Sequence, residues 1–242
     1  MAVKKYSYKN QRKVYCSPHT CVYEMASVSQ GKIYSDTVLV DSELMDMVEK
    51  LFSKLRCQKY IISSGYRTEE HDRRVGGNGK GYHTKGQALD ACFYDRSGNV
   101  IPSHIVCCVA EDLGFGGIAN ISSNYRYVHL DVRKGKKYFG DETKGNNTVT
   151  DSFYNYFGVS KAQVAKYTGE VINTPDYYNR YVGTSSQIDS VLRAINVEEK
   201  YIGSWKKRSA VAKINGIGCY IGSAAQNIKL ISLAKQGKLR RV

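Results

Sequence analysis

The sequence predicts an α+β fold in which a small antiparallel sheet with flanking helices is followed by a small, mostly helical C-terminal domain. The pattern of the first 140 residues carries this prediction. Short apolar runs typical of strands are interspersed with longer segments whose apolar residues recur at helical spacing. Such a mixture of short strands and helices is typical of the α+β class.

Three segments are predicted to be helices. The first covers residues 42–55 and follows Asp41, which is a good N-cap residue. Its apolar residues recur at helical spacing: Leu44, Met47, Val48, Leu51 and Leu55. Thr68 is expected to cap a short helix that ends near residue 75. Residues 102–113 show a second apolar stripe and predict the third helix.

Three other segments are predicted to be strands. Residues 60–64 form a short apolar run that ends at a glycine, and residues 88–94 alternate in polarity as strands do. Residues 125–133 have the same strand-like character. The glycine-rich stretch 76–81 is expected to form a loop at the rim of a cleft, since it lacks the spacing of a phosphate-binding loop.

The chain is predicted to divide into a domain of residues 1–140, a linker of residues 141–160 and a basic, mostly helical domain of residues 161–242. The proposed linker begins where the sequence becomes polar and loses its periodicity. From residue 151 onward there are 14 Lys+Arg and 6 Asp+Glu, a net charge of +8, against 22 and 16, or +6, before it. This tail also repeats weakly, since residues 181–188 resemble residues 220–227.

The overall net charge of +14 indicates a polyanionic partner. Nucleic acid and a bacterial wall rich in teichoic acid or muramyl-peptide carboxylates both remain open at this point. The seven cysteines are odd in number and contain no CxxC pair, which argues against a disulfide framework and a four-cysteine zinc site. No apolar run is long enough to span a membrane, and no signal peptide is recognised at the N-terminus, so folding in a cytoplasm is expected.

Two histidines and one aspartate predict a metal site. A catalytic zinc site needs three nitrogen or oxygen ligands and one open position. His83 precedes a predicted strand that carries Asp90, and His129 lies on another strand, so neighbouring strands can direct all three side chains at one point. We therefore expect His83, Asp90 and His129 to bind zinc.

Two further residues are candidates for catalysis. Asp131 lies two residues after His129, so both side chains point to the same face of a strand. From there Asp131 is expected to orient or deprotonate a water held by the ion. Arg67 follows a strand and is expected to bind a substrate carboxylate or a developing oxyanion through its fork of N–H donors.

Four segments resemble, in order, motifs of the VanY-type zinc D-alanyl-D-alanine carboxypeptidases and related muralytic endopeptidases. They are Ser64–Thr68 (SGYRT), Val75–Gly77 (VGG), Gly81–Asp90 (GYHTKGQALD) and His129–Arg133 (HLDVR). The resemblance covers about residues 20–135. It implies the hedgehog/D-Ala-D-Ala-peptidase-like fold, zinc as cofactor, and the same five site residues.

The motifs depart from the family pattern at two positions, and a third is ambiguous. Gly81 replaces a serine that usually stands two residues before the first ligand, and Arg126 stands where some branches have an acidic base. The base is therefore assigned to Asp131. His71 occupies the place of a family histidine and is expected to give structural support.

The tail, from about residue 187 to 239, is similar to C-terminal repeats of phage endolysins from low-GC Gram-positive hosts, which implies wall binding. The chain is therefore expected to be a phage endolysin that cuts peptidoglycan stem peptides. Its partners would be peptidoglycan and anionic wall polymers, with nucleic acid not expected. It would be made in the host cytoplasm and act on the wall after release. The alternatives are a cellular D,D-carboxypeptidase and a basic nucleic-acid-binding protein with a vestigial metal fold.

Overall fold

The computed structural model describes residues 2–135, 137–145, 147–170 and 177–242. The chain folds into two compact units, Met1–Ile172 and Asn173–Val242. Among the described residues no helix is both long and apolar enough to cross a membrane.

The N-terminal part of the first unit contains short strands that pair in twos. The strands are β1 (Val3–Ser7), β2 (Tyr15–Ser17), β3 (Thr20–Cys21), β4 (Val28–Ser29), β5 (Lys32–Ile33) and β6 (Thr37–Asp41). The pairs are β1 with β6, β2 with β3, and β4 with β5, all antiparallel. A 3-10 helix, Val22–Met25, stands between β3 and β4 and buries two of its residues in the core.

A six-stranded sheet forms the centre of the first unit. Its strands are β7 (Lys59–Ser64), β8 (Ala88–Tyr94), β9 (Gly117–Asn120), β10 (Val128–Asp131), β11 (Tyr138–Asp141) and β12 (Asn147–Thr148). They lie in the order β12-β11-β9-β10-β8-β7, so β7 is an edge strand. The α+β class is confirmed, but the sheet is mixed rather than antiparallel. Because β10 reverses the chain on one side of β9, the next strand, β11, lies on the other side and runs parallel to β9.

The described part of the first unit contains six α-helices, of which α4 packs on the six-stranded sheet. They are α1 (Tyr8–Gln11), α2 (Ser42–Lys54), α3 (Glu69–Arg74), α4 (Ser103–Leu113), α5 (Phe153–Phe157) and α6 (Lys161–Thr168). The predicted helices are present, and the predicted caps act: Asp41 accepts hydrogen bonds from Glu43 and Leu44, and Thr68 accepts one from His71. Apolar faces of α2 and α4 pack into one core with β8 and β10.

The strand predicted over residues 125–133 is shorter in the structure, where β10 covers only Val128–Asp131. Tyr125 has a φ of +53°, a left-handed conformation that no strand residue adopts. The other two predicted strands lie within one residue of β7 and coincide with β8.

The segment 141–160, predicted as a linker, is part of the first unit in the structure. It carries β12 and α5 and places Val149, Phe153 and Val159 in the core of that unit. Residues 161–168, predicted to open the second domain, form α6, whose Val164 is buried in the same core. Sequence periodicity failed here because a few isolated apolar anchors on very short elements leave no repeating pattern.

The second unit is mostly helical, as predicted. Its helices are α7 (Ile188–Ala194), α8 (Trp205–Ile214) and α9 (Ala224–Lys235). Val191 and Leu192 of α7 and Leu230 and Ile231 of α9, which the repeat places in equivalent positions, are buried in one core. The buried Arg208 is neutralised by Asp189, whose Oδ1 lies 2.6 Å from its Nη1.

Gly86 ends the 3-10 helix that carries His83, so its conformation affects the position of a candidate metal ligand. Its φ is +69°, and an added Cβ would lie 2.5 Å from the backbone oxygen of Leu39. Gly145 ends another 3-10 helix at φ +75° with open space around it. Gly145→Ala is expected to cost about 1 kcal/mol through its φ alone. Gly86→Ala should cost about 1 to 3 kcal/mol more, because of the backbone clash.

Urea unfolding of the full chain followed by circular dichroism measures both effects. Equal losses of stability in the two variants would show that the contact with Leu39 does not constrain the fold.

Candidate metal centre

Three side chains that are far apart in the sequence meet at one point of the sheet. His83 Nε2 lies 3.2 Å from His129 Nδ1 and 3.3 Å from Asp90 Oδ1. His129 Nδ1 lies 2.9 Å from the same carboxylate oxygen. The predicted ligand residues are therefore brought together, with candidate ligand atoms all within 4.8 Å of one another.

The register of the sheet brings Asp90 and His129 together. Asp90 on β8 is directly opposite His129 on β10 in an antiparallel pair, and directly opposed residues project from the same face. His83 comes from the 3-10 helix His83–Lys85 just before β8. The backbone carbonyl of His83 is fixed by hydrogen bonds from Gly86 and Arg67. Three different backbone elements thus contribute one donor each.

Each histidine has its second ring nitrogen occupied. His83 Nδ1 donates to the carbonyl oxygen of Gly65 at 2.7 Å, and His129 Nε2 donates to Asp131 Oδ2 at 3.0 Å. These bonds direct Nε2 of His83 and Nδ1 of His129 towards Asp90, so these are the two nitrogens that could bind an ion. Histidine ligands of metal ions are commonly fixed in this way.

The clustered groups shift one another's pKa values strongly. Burial alone would raise the pKa of Asp90, but His83 and His129 outweigh it and hold the pKa far below its usual range. Burial lowers the pKa of His129, yet the carboxylates of Asp131 and Asp90 raise it to about 9. An ionised carboxylate with two imidazole nitrogens is a donor set that fits zinc, and an ion there would compete with the proton that the carboxylates favour on His129.

Asp131 occupies a different place from the one predicted for a general base. Its side chain is fully buried and lies at the Nε2 side of His129, whereas the ligand atoms gather at Nδ1. The strand geometry was predicted correctly, but the imidazole stands between Asp131 and the centre. Burial would raise the pKa of Asp131, but His129 and Arg133 lower it to about 2, so it stays ionised. The geometry therefore favours Asp131 as a positioning residue for His129.

Arg133 completes the support behind His129. Its guanidinium binds both oxygens of Asp131, with Nε at 2.9 and 3.0 Å. Its Cζ also lies over the rings of Tyr82 and Tyr138, 4.6 and 5.0 Å from their centroids. Imidazole, carboxylate, guanidinium and aromatic rings thus form one continuous chain of contacts.

Arg67 lies beside the centre, where it holds Asp90. Its Nη2 donates to Asp90 Oδ2 at 2.7 Å, its Nη1 to Asp72 Oδ1 at 3.3 Å, and its Nε to Ser64 Oγ at 2.7 Å. The oxygen of Asp90 that faces the imidazoles is the other one, Oδ1. Arg67 therefore fixes the carboxylate in the orientation that the centre needs.

A cleft of about 740 Å³ opens next to Asp90 and Arg67. His71 lines it, but its Nδ1 is bonded to Ser27 Oγ at 2.9 Å and its ring stacks on Tyr34. Burial and the nearby Arg67 lower the pKa of His71. These contacts agree with the structural role expected for it.

Sequence reasoning did not single out Asp72, which links two parts of the site. Its Oδ1 binds Arg67, and its Oδ2 accepts a hydrogen bond from the backbone of Gly79 at 2.9 Å, which anchors the glycine-rich loop. Its only sequence signal is its position next to His71. Arg126 donates to the hydroxyl of Tyr94, on the exposed surface.

The three clustered donors on the sheet, with a cleft beside Asp90, form a candidate metal site. Residues 17–131 match the family model described as Peptidase M15, and this span contains all three clustered side chains. The match supports the M15 zinc peptidase family for this part of the chain. No curated protein matches the sequence.

Asp131→Asn is expected to weaken zinc binding by about 10- to 100-fold, because the amide cannot neutralise Arg133 and hold His129 at once. Competition with a zinc-binding dye measures this affinity. Asp141→Asn is the matched control, since Asp141 is equally buried and hydrogen-bonded but belongs to a different polar cluster. Unchanged zinc affinity with lost turnover in Asp131→Asn would instead restore the general-base role.

Proposed function

We propose that the chain is a zinc-dependent hydrolase of peptidoglycan stem peptides, of the phage endolysin type. The observation that carries the proposal is the convergence of His83, Asp90 and His129 inside the region that matches the M15 family. Their two nitrogens and one oxygen are the ligand number and type of a catalytic zinc site, in which a further position stays open for substrate.

A zinc ion held by these residues would supply Lewis-acid chemistry, polarising a peptide carbonyl and activating water. The protein's own groups prepare the site for it. Asp131 keeps the Nε2 proton of His129 in place, so that Nδ1 is free to bind. Arg67 uses three N–H donors on Ser64, Asp90 and Asp72 and, with five in all, keeps others for a carboxylate or developing oxyanion.

The cleft beside the centre is large enough for a peptide of a few residues. It is lined by Ile61–Ser64 of the edge strand β7 and by Asp90 and Arg67. A peptide lying in the cleft would bring a backbone carbonyl to the metal centre. These features support a peptide substrate, and the choice of wall peptide rests on the family resemblance.

The second unit supports the endolysin proposal through its charge. Ten basic side chains are exposed among residues 177–242. They are Arg180, Arg193, Lys200, Lys206, Lys207, Lys213, Lys229, Lys235, Lys238 and Arg240. Only Glu198 and Glu199 are exposed acidic residues among 177–242. A surface of this kind attracts polyanions, and we propose anionic wall polymers as its ligand.

Chelation is expected to abolish release of peptides from purified peptidoglycan, and added zinc to restore it. His83→Ala and His129→Ala should each lose bound zinc and hydrolysis, because two remaining ligands hold zinc poorly. His19→Ala is the control, since His19 is exposed and pairs with Glu49 on another part of the surface. Mass spectrometry of the released fragments measures hydrolysis and identifies the bond. Retained hydrolysis in either site variant would reject the ligand set.

Binding of the full chain to cell walls is expected to weaken as salt is raised, because salt screens charge attraction. Sedimentation with purified walls, with chelator present to prevent digestion, measures this binding. Lys206→Gln with Lys207→Gln should weaken it, whereas the same change at the exposed pair Lys4 and Lys5 of the first unit should not. Equal binding to walls stripped of their anionic polymers would contradict the proposed ligand.

A further inference from the structure

The cleft next to the metal centre has two unlike walls. One is the edge strand β7, four consecutive residues of which, Ile61–Ser64, line the cleft. Consecutive strand residues point to opposite faces, so a cavity that touches all four runs along the free edge of the strand. The other wall comes from the 3-10 helix Val22–Met25 and the following β4. The cleft shares Asp90 with the candidate metal centre, so a substrate that reaches the centre through the cleft would lie between these walls.

Most charged groups of the cleft already have partners. The guanidinium of Arg67 is bound by Asp90 and Asp72, and Asp90 belongs to the metal centre. His71 is bonded to Ser27. Glu24 is the exception: it takes part in no ion pair with any residue that the structure describes. The cleft therefore has one carboxylate available to a ligand.

Glu24 is held in a fixed orientation. Its Oε2 accepts a hydrogen bond from the backbone N–H of Cys21 at 2.7 Å, in the capping arrangement of the 3-10 helix. Its other oxygen, Oε1, accepts no hydrogen bond from a described residue. A half-buried carboxylate whose rotamer is already fixed loses little entropy when it binds a cation.

Apolar side chains line the same cleft as this carboxylate. Tyr23, Ile61 and Val75 line it and are 47%, 44% and 51% exposed. An amine at the end of an aliphatic side chain fits this combination. Its methylene groups would cover the apolar residues while the ammonium reached Glu24, as lysine side chains do on protein surfaces.

We propose that Glu24 binds the side-chain ammonium of a diamino acid in the substrate peptide, so that peptides with a free primary amine are preferred over acylated ones. This inference rests on the proposed peptide hydrolase function and adds a substrate class to it. The chain carries a net charge of +14, which repels cationic ligands in general. The carboxylate of Glu24 would offset this repulsion at one point of the cleft and so favour a peptide whose ammonium group lies there.

The variant Glu24→Gln tests the charge alone, because the glutamine oxygen can still accept the hydrogen bond from Cys21. The probes are a wall pentapeptide with L-lysine at its third position and the same peptide acetylated on that amine. The unaltered protein is expected to cleave the free-amine peptide with a kcat/KM about tenfold higher, the size expected for one charge-assisted hydrogen bond. Glu24→Gln should bring the ratio of the two kcat/KM values close to one.

Glu111→Gln is the matched control and should keep the tenfold ratio. Glu111 also accepts a backbone hydrogen bond, from Phe153 at 2.8 Å, but it lies on α4 and does not line the cleft. Calorimetric binding of both peptides to the zinc-free protein gives a second measurement, in which the same preference and the same loss are expected.

Three results would overturn the inference. Equal cleavage of the two peptides by the unaltered protein would exclude recognition of the amine. An equal loss on both peptides in Glu24→Gln would assign Glu24 to catalysis or folding. Cleavage of neither peptide, with the zinc-loaded protein also inactive on whole peptidoglycan, would reject the proposed function itself. This last result is distinct from the first two, in which hydrolysis persists.

Discussion

The pairing of Asp90 with His129 across β8 and β10 is the contact on which the rest of the site depends. An antiparallel register fixes which residues face each other, and a shift by one residue would turn each side chain to the opposite face of the sheet. The apolar core beneath these strands, which includes Leu89 and Leu130, therefore sets the geometry of the candidate metal centre as well as the stability of the unit. His83 joins the pair from a turn whose shape Gly86 permits.

Around the three donors lies a second layer of contacts that fixes each of them in one orientation. Gly65 accepts from His83, Asp131 from His129, and Arg67 holds the outer oxygen of Asp90. This layer explains how a buried imidazole, a half-buried imidazole and a buried carboxylate can stay clustered, since every remaining polar atom of the three has a partner. Glu24 is not part of these contacts. It lines the cleft, and its Oε1 accepts no hydrogen bond from a described residue.

The sequence was sufficient for those parts of the molecule in which local chemistry and spacing agree. The caps at Asp41 and Thr68 and the strand 88–94 follow from nearby residues. The three clustered donors follow from their positions on or beside two predicted strands. The sequence could not show on which side of the imidazole Asp131 lies, because strand periodicity gives a face and not the rotation of a neighbouring ring. Nor could it show that residues 141–168 belong to the first unit, since Val149 and Phe153 are isolated anchors. The parallel pairing of β11 depends on long-range topology.

A crystal structure of the zinc-loaded protein, with the ion located by anomalous scattering, tests the central claim most directly. We expect one ion in the first unit, bound by His83 Nε2, Asp90 Oδ1 and His129 Nδ1, with Asp131 hydrogen-bonded to the opposite nitrogen of His129. An ion at any other position, or one bound to His129 through Nε2 with Asp131 facing it, would contradict both the ligand set and the positioning role of Asp131.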